Sequence, residues 1–292
     1  MTQAHSFKPH STTAPIAVLS VAMFSIQLGA VFAKQLFPAV GAVGATALRL
    51  GMASLMLAAA WRPWRMRPSW PEVRSLVVYG MAMGWMNFFF YSSIERIPLG
   101  IAVAVEFTGP LAVAAAASRR AVDFGWIAIA AWGLVAMLPR GSGPIAMSGV
   151  GFALAAGLCW ALYIVFGQKA GNVHGGSTAA FGTLAGALLF VPLGFAHAGA
   201  GLLSPALLPC AAAVGLLSSA LPYSLEMFAL TRLPARTFGI LMSVQPALGA
   251  LSGAVLLGER LSALQWTGIA SVILASVGSA SSVRRPLPPL AD

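Results

Sequence analysis

The chain has 292 residues, 59% of them hydrophobic and only 8% charged, with a mean hydropathy of +0.85. Ordinary soluble domains carry about 25% charged residues, so the polar side chains here cannot cover a water-facing surface of this size, and a soluble globular enzyme is excluded. The formal charge of +10 does not point to nucleic acid, because the basic residues fall in short gaps between apolar runs.

A spanning helix needs about 20 mostly apolar residues to cross about 30 Å of hydrocarbon. Windows of that length predict ten helices, over residues 15–35, 40–61, 75–93, 98–118, 122–138, 148–168, 178–196, 206–229, 237–257 and 263–280. The runs are rich in Ala, Leu, Gly and Met and lack alternation, which favours a helix bundle over a β-barrel. The expected fold class is therefore an all-α integral membrane protein of ten transmembrane helices. Residues 1–14 read as a polar tail, and the first apolar run as a retained helix rather than a signal peptide, since Lys34 follows Ala33 directly. Residues 281–292 read as a short disordered end. Cys159 and Cys210 lie inside apolar runs, where buried free thiols are expected.

Ten helices place both termini on one side. That side collects Lys8, Arg62, Arg65, Arg67, Arg74, Arg119, Arg120, Lys169, Arg232, Arg236, Arg284 and Arg285, against Lys34, Arg96, Arg140 and Arg260 on the other. The positive-inside rule then puts both termini in the cytoplasm.

Sliding the chain against itself by 136 residues sets Arg96 on Arg232, Pro98 on Pro234, Pro110 on Pro246 and Asp123 on Glu259. The expected organisation is a repeat over 15–138, a linker over 139–147 and a second repeat over 148–280. Five helices per copy is an odd number, so the second copy is inserted upside down, a recurring design of secondary transporters. Pro110 and Pro246 each free a backbone carbonyl and permit a helix kink.

A charge at the bilayer centre costs about 2.5–3.5 kcal/mol on insertion scales, so the few that are kept carry information. Arg49 lies about nine residues into the second predicted helix and Glu106 about eight into the fourth; at about 1.5 Å per residue both start from similar depths and can meet. Two readings stay open. They form a structural ion pair, or they line a cavity and bind a zwitterion, Arg49 forking to a carboxylate and Glu106 accepting an ammonium. A carboxylate so placed is also suited to exchanging a proton for cargo. Glu226 reads as a gating or structural charge paired with Arg232 or Arg236, and Lys34 as a side chain snorkelling to the interface. Asn87, Tyr163, Tyr223 and Gln245, with Gln27, are polar groups at membrane depth that either hydrogen-bond between helices or line the cargo site. No metal-ligand cluster, phosphate loop or nucleophile pairing is visible, so no cofactor or metal is expected.

The ending Pro246-Ala247-Leu248…Gly258-Glu259-Arg260-Leu261 resembles the EamA-like domains of the drug/metabolite transporter superfamily. The stretches Thr46-Ala47-Leu48-Arg49-Leu50, Val105-Glu106-Phe107-Thr108-Gly109-Pro110 and Pro222-Tyr223-Ser224-Leu225-Glu226 are similar to the bacterial inner-membrane threonine/homoserine exporters. The resemblance implies an inner-membrane secondary exporter of small neutral amino acids, driven by the proton gradient through alternating access, with an amino acid, protons and lipid as its partners. One departure is Gln245, where close relatives often carry a glutamate before the proline. The competing readings are a superfamily exporter of another cargo (an aromatic solute, cationic drug or metabolite) and a membrane-embedded enzyme. The enzyme would show convergent His, Ser, Asp or metal ligands at membrane depth.

Overall fold

The computed structural model describes residues 13–65, 68–116, 121–137, 147–174, 176–230 and 241–282. Residues 1–12 and 283–292 of the tails, Arg67, Arg119, Arg120, residues 139–146 of the linker with Arg140, and the segment carrying Arg232, Pro234 and Arg236 lie outside the described residues, as do the side chains of Asp123 and Lys169. Every regular element among the described residues is helical, and none is a strand.

The first helix, α1 (Thr13–Trp61), joins the first two predicted spans. The gap expected at residues 36–39 is helical, because Leu36 and Val40 are buried in the core and continue the packed face. The break comes at Gly41, with φ 63° and ψ −179°, a backbone conformation that an L side chain resists. Pro38, just before it, has no N–H for the Lys34 carbonyl. Two arms result, 13–40 and 42–61. Helix α2 (Trp70–Ile94) starts earlier than the apolar window suggests, because polar residues open it: the Ser69 N–H donates to the Glu72 carboxylate at 2.6 Å and Pro71 occupies the first turn.

The fourth predicted span is two pieces, α3 (Leu99–Glu106) and α4 (Thr108–Ala116), separated at Phe107. Pro110 has no N–H for the Glu106 carbonyl, so the helical ladder lapses at that carbonyl. Helices α5 (Ala121–Met137), α6 (Met147–His174) and α7 (Gly176–Ala198) follow. Then come α8 (Leu208–Gly215), a π-helical turn over Leu216–Ala220, and α9 (Leu221–Leu230). The chain resumes at Leu241, turns at Ser243 and Val244, and continues as α10 (Gln245–Leu256), with Pro246 in its first turn. Helix α11 (Ala263–Ser282) ends the described chain.

Among the described residues, four helical stretches, Thr13–Trp61, Met147–Gly167, Gly176–Leu203 and Leu208–Glu226, are long and apolar enough to cross a membrane. The outer surface is consistent with lipid as solvent. Large apolar side chains such as Leu55, Leu158, Leu188 and Val255 are more than 60% exposed, while Gln27, Thr46, Arg49 and Asn87 are buried. Polar groups turned inward and apolar ones outward suit a medium that offers no hydrogen bonds. The arms of α1 pack on α7, α8 and the π turn; α2 packs on α6, α3 on α10, and α5 on α11. The core that positions the site lies where α1, α2, α3 and α8 converge.

Candidate functional site

Pro222 is the sequence feature that shapes the site. Without an N–H it cannot serve the carbonyls one turn upstream, and the chain widens there into the π turn, a form often found at functional sites. Two carbonyls of that turn are met from α1. Ser25 Oγ donates to the Leu217 carbonyl at 2.7 Å, and Arg49 Nη2 donates to the Ser218 carbonyl at 2.7 Å. Arg49 Nε donates in turn to Ser219 Oγ at 2.9 Å. One face of the guanidinium lies over the Tyr91 ring, 5.3 Å from its centroid, a cation–π contact that substitutes for hydration. Arg49 is 6% exposed. Gly29 makes the approach possible, since a Cβ there would collide with the Ser218 side chain.

Asn87 is buried on α2, its Nδ2 donating to the Met83 carbonyl at 2.7 Å. The Tyr223 hydroxyl faces Asn87 and Ser219, and the Tyr91 hydroxyl faces Ser218 and Arg49. The hydroxyls of Tyr91, Ser218 and Tyr223 are buried, and none of these approaches has the geometry of a well-formed hydrogen bond. Tyr163 stacks on Tyr79, centroids 4.8 Å apart and planes at 28°, in a cluster that also packs on Tyr223. Glu226, one turn beyond Tyr223, is partly buried and within electrostatic range of the Tyr79, Tyr163 and Tyr223 hydroxyls. Its expected partners Arg232 and Arg236 lie outside the described residues.

Glu106 is 8% exposed at the end of α3. It lies within electrostatic range of Arg49 but makes no ion pair with it, so the direct contact allowed for in the sequence is not formed in this conformation. Arg49 instead spends its donors on the π turn. Gln245 is buried at the start of α10, its Nε2 at 3.8 Å from Met242 Sδ. Gln27 is buried with neither amide atom bonded, against Val103 and Gly249. The structure thus gathers Arg49, Asn87 and Tyr223, sets Tyr163 beside them and holds Glu106 near.

Tyr91, Ser218 and Ser219 escaped the sequence reading. Serines in an apolar helix are common, and only Pro222, four residues after Ser218, signals a carbonyl left free for a charged partner. Lys34 requires a correction. It does not snorkel; its Nζ donates to Glu259 Oε1 at 2.6 Å, and Glu259 Oε2 accepts the Leu99 N–H at 2.8 Å. The carboxylate of the Gly258-Glu259-Arg260 turn therefore caps the start of α3 while pairing with α1. Two apolar surface grooves, about 470 Å³ beside Phe24 and Leu217 and about 360 Å³ beside Trp85 and Phe190, do not have Arg49 in their lining.

The model of the EamA-like transporter family matches residues 147–281. The threonine/homoserine exporters RhtA of Escherichia coli K12 and Salmonella typhimurium LT2 are each 53% identical over 273 residues, spanning 93% of this chain and 92% of theirs. The chain belongs to the EamA-like transporter family. The membrane-embedded enzyme reading therefore falls, because this is a transporter family. A solved crystal structure superposes with a TM-score of 0.62 at 21% identity, covering 95% of this chain and 100% of that one, which shows that the fold is shared.

Proposed function

We propose that this chain exports small neutral amino acids of the threonine and homoserine kind across a bacterial inner membrane, by alternating access with proton antiport. The observation that carries the reading is the 53% identity to exporters of that name along nearly the whole chain. The buried cation supports it. Arg49 is held by a carbonyl and a hydroxyl oxygen, weak acceptors that a cargo carboxylate outcompetes with a bidentate, charge-assisted fork. Glu106, close to Arg49 without pairing to it, accepts the cargo ammonium or a proton in alternation. Tyr163, Tyr223 and Asn87 complete the lining, Gln245 borders it from α10, and Glu226 stands as a gating charge toward the cytoplasm.

Alternating access draws on ten spans in two inverted repeats, 15–138 and 148–280, with both termini cytoplasmic. In support, the family model matches the second of these stretches. The breaks at Phe107 and at Ser243–Val244 stand 136 residues apart, each just ahead of its proline, and are the hinges of this scheme. The packing of α5 on α11 is also reciprocal: a Cβ on Gly133 would meet the Gly268 carbonyl, and one on Gly268 the Gly133 carbonyl, both at 2.7 Å. In this scheme the Lys34–Glu259 pair closes the outer end and parts when the cargo leaves.

The test is counterflow in proteoliposomes with a panel of labelled amino acids and an imposed pH gradient. Threonine and homoserine exchange, stimulated by the gradient, is the expected result. Glu106→Gln should insert normally and lose the stimulation; gradient-driven export at the native rate in that variant removes Glu106 from coupling.

A further inference from the structure

We infer that the hydroxyls of Tyr91, Ser218 and Tyr223 form a subsite beside Arg49 that selects cargo bearing a side-chain hydroxyl over cargo of the same shape lacking one. The inference rests on the amino-acid export proposed above and adds what reads the side chain. Tyr91, Ser218 and Tyr223 are 0%, 1% and 8% exposed, and the hydroxyl oxygen of each lacks a hydrogen-bond partner in the protein. Buried polar atoms are satisfied in the large majority of native structures, so three orphans around one cation mark a place built for something else. They come from three elements, α2, the π turn and α9. The Tyr91 ring supports the guanidinium at 5.3 Å while its hydroxyl turns toward Ser218, and the Tyr223 hydroxyl turns toward Ser219 and Asn87.

The chemistry of the set selects the ligand group. A carboxylate belongs to Arg49, the one cation there among the described residues, and an ammonium to the nearby carboxylate of Glu106. Neutral hydroxyls both donate and accept, which matches a group that does the same. A methyl in that position would leave all three unmet, and a site that hydrogen-bonds a substrate hydroxyl rejects the analogue without it far more strongly than an apolar pocket rejects a missing methylene.

The experiment compares counterflow of labelled threonine with valine, and of homoserine with norvaline, since each pair differs by a methyl in place of the hydroxyl. The native chain should favour the hydroxylated member by about tenfold or more. The double variant Tyr91→Phe/Tyr223→Phe, which keeps both rings, and the single variant Ser218→Ala should each lower the ratio of threonine to valine exchange about five- to tenfold. Equal exchange of threonine and valine by the native chain overturns the subsite and leaves amino-acid export standing. Variants that lower both members equally overturn it too, because a purely structural role has that signature. A native chain that carries none of the four amino acids overturns the export reading itself, and the subsite with it.

Discussion

Arg49 shows how a single side chain can be read in outline from sequence and in detail only from its neighbours. A cation nine residues into an apolar helix needs a partner, and the obvious one in the sequence is Glu106. The structure gives it the Ser218 carbonyl, the Ser219 hydroxyl and the Tyr91 ring instead. The two bonds diverge from a planar fork, which an ammonium cannot reproduce. Arg49→Lys should therefore keep the charge yet lower threonine exchange about tenfold or more and cost about 1–3 kcal/mol of stability, from the lost charge-assisted bonds. Counterflow rates and thermal unfolding in detergent check both figures. If the lysine variant exchanges at the native rate, a point charge suffices and the fork has no part in cargo recognition. At this scale the sequence shows which residues are polar at depth. It does not show that Gln245 turns toward Met242, nor that Tyr91 joins Arg49, because a helix face is chosen by tertiary packing.

Elements come next, and here the prolines are informative. Pro110, Pro222 and Pro246 are visible in the sequence, and each stands beside a helix interruption: Phe107, the π turn 216–220, and Ser243–Val244. Their consequences differ, because each freed carbonyl meets a different neighbour. The Gly258-Glu259-Arg260 turn is likewise legible as a motif, but its task is not. Glu259 ties the start of α3 to α1 through the Leu99 N–H and Lys34 Nζ, joining three elements distant in sequence. A double-mutant cycle with Lys34→Met and Glu259→Gln should give a coupling energy of about 1–3 kcal/mol in thermal stability, since both side chains are largely shielded from water. Glu259→Gln alone should cost less than Glu259→Ala, because the amide oxygen still accepts from Leu99. Additive single-variant effects would mean that the pair is not coupled.

For the whole molecule, the surface is the observation that matters: large aliphatic side chains outside, amides, hydroxyls and a guanidinium inside. Composition alone requires that inversion, because 8% charged residues cannot clothe a soluble body. The relation between the two halves is a question of topology. Reporter fusions at both ends should place the two termini on the cytoplasmic side, and single cysteines at Lys34 and Arg260 should be labelled from outside by a membrane-impermeant reagent. Labelling of those cysteines from the cytoplasmic side only would reverse the orientation, and the reading of which end the Lys34–Glu259 pair closes would reverse with it.

Sequence by itself determined the solvent, the helical class, the family resemblance and the short list of polar residues held at depth. These follow from composition, run length and local motifs, which act through transfer free energies and backbone chemistry that neighbouring elements do not change. Tertiary structure decided the partners: Arg49 with the π turn rather than with Glu106, and Lys34 with Glu259 rather than with the interface. The physical reason is the same in both cases. In a bundle lined with glycine, alanine and serine, backbones approach closely enough for carbonyls and N–H groups to compete with side chains, and that competition depends on distances between segments far apart in the chain.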